Sequence, residues 1–472
     1  VTQNLQKKSD DASQHFQNQT KGVQALLGDP KKAIRSLSWP MIIAMTVQTL
    51  YNLVDAIWVS GLGSDALASV GFVFPLLFMG IAIATGLGVG GGSAISRKIG
   101  AKNKKGADNA AVHTMILMCV LAILYAAPLY VFSDDIFRAI GAGRTTETAS
   151  IYAQIMYSAT IISFFCFIAN AILRSEGDAK RAMFAMVLGG VLNVILDPIF
   201  IYTLNFGVPG AAWASVFSMS ISAMLLFYWL FFKRDTYVSL RFRDFSFDKS
   251  IIKDILIVGL PASVMQLSMS IMMFMMNIIV QHVGGLDGVA VFSAGWRVAT
   301  MASMPLLGMA TAVVSVTGAA YGAHAYKKID VAHIYAIKIG ILIETSIAVA
   351  TFIFAPVITA AFTQSSDTAR LADDITTFLR IICIFYPATA FGMLSSALFQ
   401  GMGKGMYSLL ATVLRTIVLT VPLAWLFAVF LSWGLVGAWW GLVLANILGG
   451  AFTFLLAKVY VDRLLKTPKS DG

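Results

Sequence analysis

Charge is scarce in this chain. Asp, Glu, Lys and Arg make up 12% of its 472 residues, while apolar types make up 58%. That balance, with a mean hydropathy of +0.78, excludes a soluble globular protein of this length and indicates a membrane protein. Cysteine is nearly absent. Cys119, Cys166 and Cys383 all fall within apolar runs, so they read as small packing residues, not as a disulfide framework. The five histidines show no metal-ligand spacing. There is no H-E-x-x-H, no P-loop and no interfacial cluster of acids, so enzyme chemistry is not indicated. Gly86-Leu87-Gly88-Val89-Gly90-Gly91 fits G-x-G-x-x-G by letter, but it ends an apolar run with no strand before it. Close helix packing or a hinge is the better reading. Residues 1–25 are polar and Gln-rich without an apolar h-region, so no cleavable signal is expected.

What the chain has in abundance is long apolar runs. About twelve qualify as membrane spans: near 38–60, 67–94, 110–132, 149–171, 184–203, 210–231, 256–282, 288–316, 333–359, 374–398, 407–430 and 436–460. The net charge of +10 does not point to nucleic acid, because Lys and Arg crowd into alternate loops. Arg97, Lys98, Lys102, Lys104 and Lys105 form one group, Arg174, Lys180 and Arg181 another, and Lys233, Arg234, Arg241, Arg243, Lys249 and Lys253 a third. Lys327, Lys328, Lys404 and a tail with Arg463, Lys466 and Lys469 continue the series, whereas the intervening loops hold only Arg138, Arg144 and Arg370. By the positive-inside rule the basic loops and both termini are cytoplasmic. The expected organisation is a cytoplasmic N-terminal segment (1–36), a first lobe (37–231), a cytoplasmic linker (232–255), a second lobe (256–460) and a cytoplasmic tail (461–472).

The linker divides the chain near its midpoint, and the two halves repeat. Lys32 to Pro40 has a counterpart in Lys253 to Pro261, each followed by an apolar run and then by Gly61-Leu62-Gly63 or Gly284-Gly285-Leu286. Arg174-Ser175-Glu176-Gly177-Asp178 matches Gln400-Gly401-Met402-Gly403-Lys404, and Gly207 to Trp213 matches Gly434 to Trp440. Each half holds about six spans, an even number, so the repeats are parallel. The fold class is therefore all-α integral membrane, with two six-helix lobes related by a pseudo-two-fold axis along the membrane normal and a cleft between them.

Few acids lie inside the runs. Asp at the centre of a membrane helix costs roughly 2.5–3.5 kcal/mol on insertion scales, so it is kept for a reason. In the first span Gln48, Tyr51 and Asp55 stand at i, i+3 and i+7, one polar face of a helix. In span five Asn193 and Asp197 are i, i+4 neighbours, and Pro198 cannot donate to the carbonyl of Val194. Asp55, Asp197 and Ser215 all fall some five or six residues from an outer helix end, so they share a depth in the outer half of the membrane. The sequence thus permits one site formed by Asp55, Asn193, Asp197 and Ser215, built of hard oxygen ligands suited to a proton or Na⁺. Paired acids would titrate as one coupled system. In the second half Met276 or Asn277 stands at the repeat position of Asp55, and apolar residues near Leu423 stand at that of Asp197, so the acids belong to the first half only. Glu344, Arg297 and Arg380 are further candidates for the cleft, Arg380 reading as a snorkelling helix-end residue. The methionines of span seven, Met265, Met269, Met272, Met273, Met275 and Met276, read as core or lipid-facing filler, with a soft, adaptable binding surface as the alternative.

Trp39-Pro40, Tyr51-Asn52-Leu53-Val54-Asp55, Asn193 with Asp197-Pro198, and the Gly-rich end of span two with Arg97-Lys98-Ile99-Gly100 resemble the MATE family of multidrug and toxic compound extrusion transporters. The resemblance covers roughly residues 27–460, and the paired first-half acids point to its DinF-like branch, close to archaeal members. It implies alternating access between two lobes and export of amphipathic, often cationic drugs against inward H⁺ or Na⁺. It also implies that Asp55, Asn193, Asp197 and Ser215 bind the cation, that Gln48, Tyr51, Tyr152 and Asn170 line the first-lobe cavity, and that Pro40 is where span one bends. The second-lobe acids of the NorM-like branch are not evident, since span seven has none and Asp373 and Asp374 only edge span ten. A cofactor-free monomer in the cell membrane is expected, with the coupling ion its one inorganic partner. The alternative is a flippase of a lipid-linked precursor. Such proteins, similar to this superfamily, often carry about fourteen spans and a strongly cationic cavity, whereas this chain has about twelve and an acidic first lobe.

Overall fold

A computed structural model describes residues 20–233, 235–241, 243, 245–363 and 369–466. Residues 1–19, Arg234 of the basic linker, and the tail from 467 on with Lys469 lie outside the described residues. The chain is helical throughout, with no strand among the described residues. A short helix α1 (Lys21–Leu27) leads into α2 (Pro30–Ser60), α3 (Ser64–Gly100) and α4 (Lys104–Val131). Then come a short α5 (Ser133–Ala139), α6 (Thr146–Ser158), α7 (Thr160–Ser175), α8 (Ala179–Pro198) and α9 (Gly207–Phe227). The second half contains α10 (Lys249–Ala302), α11 (Met304–Gly322), α12 (Tyr326–Ala360), α13 (Ala372–Ile382), α14 (Tyr386–Gly401), α15 (Gly405–Val413), α16 (Thr420–Trp425) and α17 (Gly434–Lys466).

Eleven helical stretches are long and apolar enough to cross a bilayer, and α6 with α7, bent by 48° between them, makes a twelfth span. The 54 residues of α10 exceed one crossing, and the helix turns at Gly285 (φ 58) into a second span that α11 completes. Helix starts beside the basic loops are capped by side chains, as orphan N–H groups require. Asp29 accepts from Lys31 N, Asn103 from Gly106 N, Asp178 from Arg181 N and Asp248 from Ser250 N.

The sequence repeat reappears in the backbone. Left-handed residues occur in matched pairs: Gly63 and Gly285, Lys102 and His324, Gly177 and Gly403, Asn205 and Ser432, Gly207 and Gly434. A π-helical turn at Ile199–Thr203 has its mate at Leu426–Phe430. Such turns are sterically demanding, so their recurrence in the same order along both halves marks two copies of one six-helix lobe.

The lobes meet most tightly on the side of the basic loops. Gly86 of α3 lies against α10 so closely that an added Cβ would stand 2.6 Å from Gly259 O, and one on Gly308 of α11 would stand 2.8 Å from Ile42 N of α2. These two crossings are repeat-related, α3 on α10 and α2 on α11, and glycine removes the side chain that would hold the backbones apart. Ser93 donates to Gln400 O (2.6 Å), and Arg97 pairs with Asp254 (3.2 Å). Among the described residues, every side-chain hydrogen bond or ion pair with a known partner that joins the halves is on this side. The seam is closed there.

The linker is strapped beneath the first lobe. Val238 N donates to Glu176 Oε2 and Ser239 N to Asp108 Oδ1 (2.8 Å each), and Asp248 N donates to His113 Nε2 (3.1 Å). Burial pushes the Glu176 carboxyl up to about 8, against the opposing pull of the Val238 N–H and of Arg181 and Lys104.

Candidate functional site

The site begins with a pair of glycines. Gly189 and Gly190 stand on adjacent faces of α8, one turn before Asn193, and each lets a neighbour approach. A Cβ on Gly190 would lie 3.0 Å from the Tyr51 ring of α2, and one on Gly189 would lie 2.7 Å from Ser222 Oγ of α9. Three helices therefore converge around the outer half of α8, with their polar side chains inside.

There Asn193 Nδ2 donates to Asp197 Oδ1 and to Ser215 Oγ, both at 3.2 Å. Asn193 and Asp197 are buried, at 3% and 0% exposure, and Asp55 of α2 is half-buried beside them. The Asp55 and Asp197 carboxyl groups lie within hydrogen-bonding reach of each other. Two carboxylates cannot bond one another, so that approach has a donor only when one of them carries a proton. Asn193 Oδ1 and Asp197 Oδ2 have no hydrogen-bond partner. The cluster thus contains acceptors in excess of donors, in a membrane, and it lacks a positive charge. Carboxyl, amide and hydroxyl oxygens are the donor set of a hard monovalent cation. No group of three or more His, Cys, Asp or Glu that could hold a metal occurs among the described residues.

The other anticipated residues separate into two groups. Tyr51, whose hydroxyl bonds the Gln48 side chain, and the buried Tyr152 of α6 both lie within electrostatic reach of Asp55 and Asp197. Asn170 of α7 stands apart from that cluster, donating to Cys166 O of its own helix (2.8 Å) and leaving Oδ1 without a partner. Pro40 is buried inside an unbroken α2, next to the turn that Gly308 of α11 packs against. In the second lobe Glu344 is fully buried in the helix packing, Arg297 is exposed, and exposed Arg380 lies over the Phe352 ring. Met265, Met272 and Met276 are core residues.

Sequence reading missed two features. Arg415 sits in a glycine-lined slot, with Gly449 against its Cβ and Gly392 near its Nε, and donates to Asn446 Oδ1 (3.2 Å). A basic residue inside the eleventh apolar run was the available signal. Glu176 was visible only as one letter of a repeat motif, because its partner lies 62 residues away in the linker.

The MatE family model matches residues 40–199 and 261–426, one segment in each lobe. The multidrug export protein MepA of Staphylococcus aureus is 25% identical over 438 residues, 92% of this chain and 94% of that protein. A crystal structure of a MATE protein in complex with MaL6 is 49% identical and superposes with a TM-score of 0.93, covering 95% of this chain and all of that one. A MOP superfamily transporter from Pyrococcus furiosus is 49% identical with the same coverage and TM-score.

Proposed function

Because the chain belongs to the MatE family, whose members are transporters and not enzymes, we propose that it is a cation-coupled multidrug antiporter of the cell membrane. It exports amphipathic, often cationic compounds by alternating access between its two lobes, with the basic loops and both ends cytoplasmic. The observation that carries this reading is the acceptor-rich cluster of Asp55, Asn193, Asp197 and Ser215, which lacks one positive charge. A proton or Na⁺ held by these residues supplies that charge; a cationic drug competes for the same field from the side of Tyr51 and Tyr152. Differential binding of ion and drug by the two conformations then couples their movements in opposite directions. The closed basic side corresponds to the conformation open away from the cytoplasm. Assignment to a DinF-like branch rests on the pairing of Asp55 and Asp197 in the first lobe.

The test is transport of ethidium in proteoliposomes under an imposed pH or Na⁺ gradient. Gradient-driven movement in the wild type, lost in both Asp55→Asn and Asp197→Asn, is expected. Near-normal transport by either variant sinks the site assignment. One observation favours a second reading, an anionic or lipid-linked substrate: no acid acts on the Arg415 guanidinium among the described residues. Ethidium movement under neither gradient, with folded protein, would select it.

A further inference from the structure

The second lobe holds buried polar atoms that the first-lobe cluster does not use. Glu344, midway along α12, is 0% exposed, and neither of its carboxyl oxygens has a hydrogen-bond partner. Tyr386, in the first turn of α14, is 0% exposed with an unpartnered hydroxyl, and the Glu344 carboxyl lies near enough to act on it electrostatically. His333 stands eleven residues before Glu344, three turns back on the same helix face. It too is fully buried; Nε2 bonds Ser395 Oγ (2.9 Å) and Nδ1 has no partner. Unpartnered atoms at both levels of one α12–α14 seam set it apart from ordinary core, where buried polar groups are bonded.

The surroundings decide the charge state. An ionised carboxylate buried without cation or donor costs far more than the neutral acid, so this geometry fits protonated Glu344. None of the packed helices supplies a cation. From α14 and the turn before it come Tyr386 and Cys383. The α13 side offers Arg380, which is turned to the Phe352 ring, and exposed Asp373 and Asp374. The only titratable residue of α11 is Tyr321 at its far end; α2 has exposed Lys31, Lys32 and Arg35 at its basic end and contributes Tyr51 and Asp55 of the other lobe. On α17 the titratable groups are confined to its basic end, where Lys458 pairs with Asp330 of α12. Besides His333, α12 itself carries Tyr335 and exposed Lys338, a turn or more away, and Tyr326, Lys327, Lys328 and Asp330 at its basic end.

Both spans that cover Glu344 are interrupted. Gly340, one turn before it, faces Leu306 of α11 and Leu394 and Ala390 of α14. The span containing α11 breaks at Ser303, and that containing α14 breaks at the 3-10 turn Cys383–Phe385. Breaks of this kind let a span bend without melting.

We infer that Glu344, within electrostatic reach of the unpartnered Tyr386 hydroxyl, is a proton-binding site of the second lobe. It holds its proton in the conformation described here and releases it to water when the seam opens at the two breaks. A metal ion does not fit: two carboxyl oxygens and one hydroxyl fall short of the roughly six oxygens that hard cations take. The role in transport rests on the coupled-antiporter reading; the proton on Glu344 does not.

Infrared difference spectra of the reconstituted protein between acid and alkaline pH separate the two. The expected result is a protonated-carboxyl C=O band that survives Asp55→Asn and Asp197→Asn, disappears in Glu344→Gln and shifts in Tyr386→Phe. A folded Glu344→Gln protein with all wild-type carboxyl bands overturns the inference; should that variant not fold, an unshifted spectrum in Tyr386→Phe overturns it. In parallel, protons released on ethidium binding are counted with a pH indicator. Glu344→Gln should release about one proton fewer per protein than the wild type, and an equal count contradicts a coupling role. If the wild type releases none, proton coupling of drug binding fails alone, while the Glu344 band still decides the proton site.

Discussion

Replacing Asp197 by Asn tests the arithmetic of the first-lobe cluster. The amide has nearly the volume of the carboxyl, and Asn193 still has an oxygen to donate to, so little packing is lost. What changes is the charge opposite Asp55. Two like charges about 4 Å apart at an effective dielectric of 20 repel by about 4 kcal/mol, and a cation between them cancels that repulsion. Removing one charge therefore weakens cation binding by roughly a thousandfold, at about 1.4 kcal/mol per decade. The new amide N–H can also donate to Asp55, supplying internally what the cation supplied. Ethidium affinity, measured by fluorescence polarisation across pH and Na⁺ concentration, should rise with cation removal in the wild type and be flat in Asp197→Asn. Thermal unfolding should stay within a few degrees of the wild type, since the substitution relieves unpaired acceptors. A mutant whose ethidium affinity keeps the wild-type dependence on cation would refute the reasoning; so would a fall of many degrees in Tm with no change in coupling.

Other predictions follow from the same geometry. Ser215→Ala removes one acceptor of Asn193 Nδ2 and leaves Asp197 as its partner, so coupled ethidium transport should fall several-fold without vanishing, as read from initial rates. Gly308→Leu puts a side chain where an added Cβ already stands 2.8 Å from Ile42 N, so the closed basic side should be disfavoured. Increased labelling of a cysteine placed at Ser93 from that side would report it, and unchanged labelling would count against the proposed seam. Glu176 has a folded-state value raised from 4.5 to about 8, so its contribution to linker docking is complete below 4.5 and is lost as pH rises through about 8. Protection of the Val238 amide against hydrogen exchange should decline over that window, and Glu176→Gln should abolish the decline.

Much of the architecture was readable from the chain because membrane rules are strict. Twelve apolar runs became twelve spans, since a backbone in lipid must satisfy its own hydrogen bonds as helix. The repeat was readable for a related reason: Gly177 and Gly403, or Gly207 and Gly434, occupy left-handed turns that few residues tolerate. Equal depth permitted Asp55, Asn193, Asp197 and Ser215 to meet, and the structure brings them together. Contacts between distant segments were not readable. The break that joins α10 to α11 at Ser303 carried one local signal, Pro305 in the first turn of α11, which sequence reading passed over. Glu344 offered one acid in a long apolar run, and only the structure reveals that α14 faces it with an unpartnered tyrosine. Arg415 was hidden similarly, because its slot is made by glycines of two other helices.

The central claim is that cation and drug move in opposite directions through one site. A permanently charged dye in proteoliposomes tests it most directly, with the imposed pH or Na⁺ gradient set first in one direction and then in the other. The account predicts that ethidium accumulates in the compartment richer in the coupling cation, that reversing the gradient reverses the accumulation, and that Asp55→Asn abolishes both. A distribution that ignores the direction of either gradient in the wild type, or that Asp55→Asn leaves intact, would contradict it.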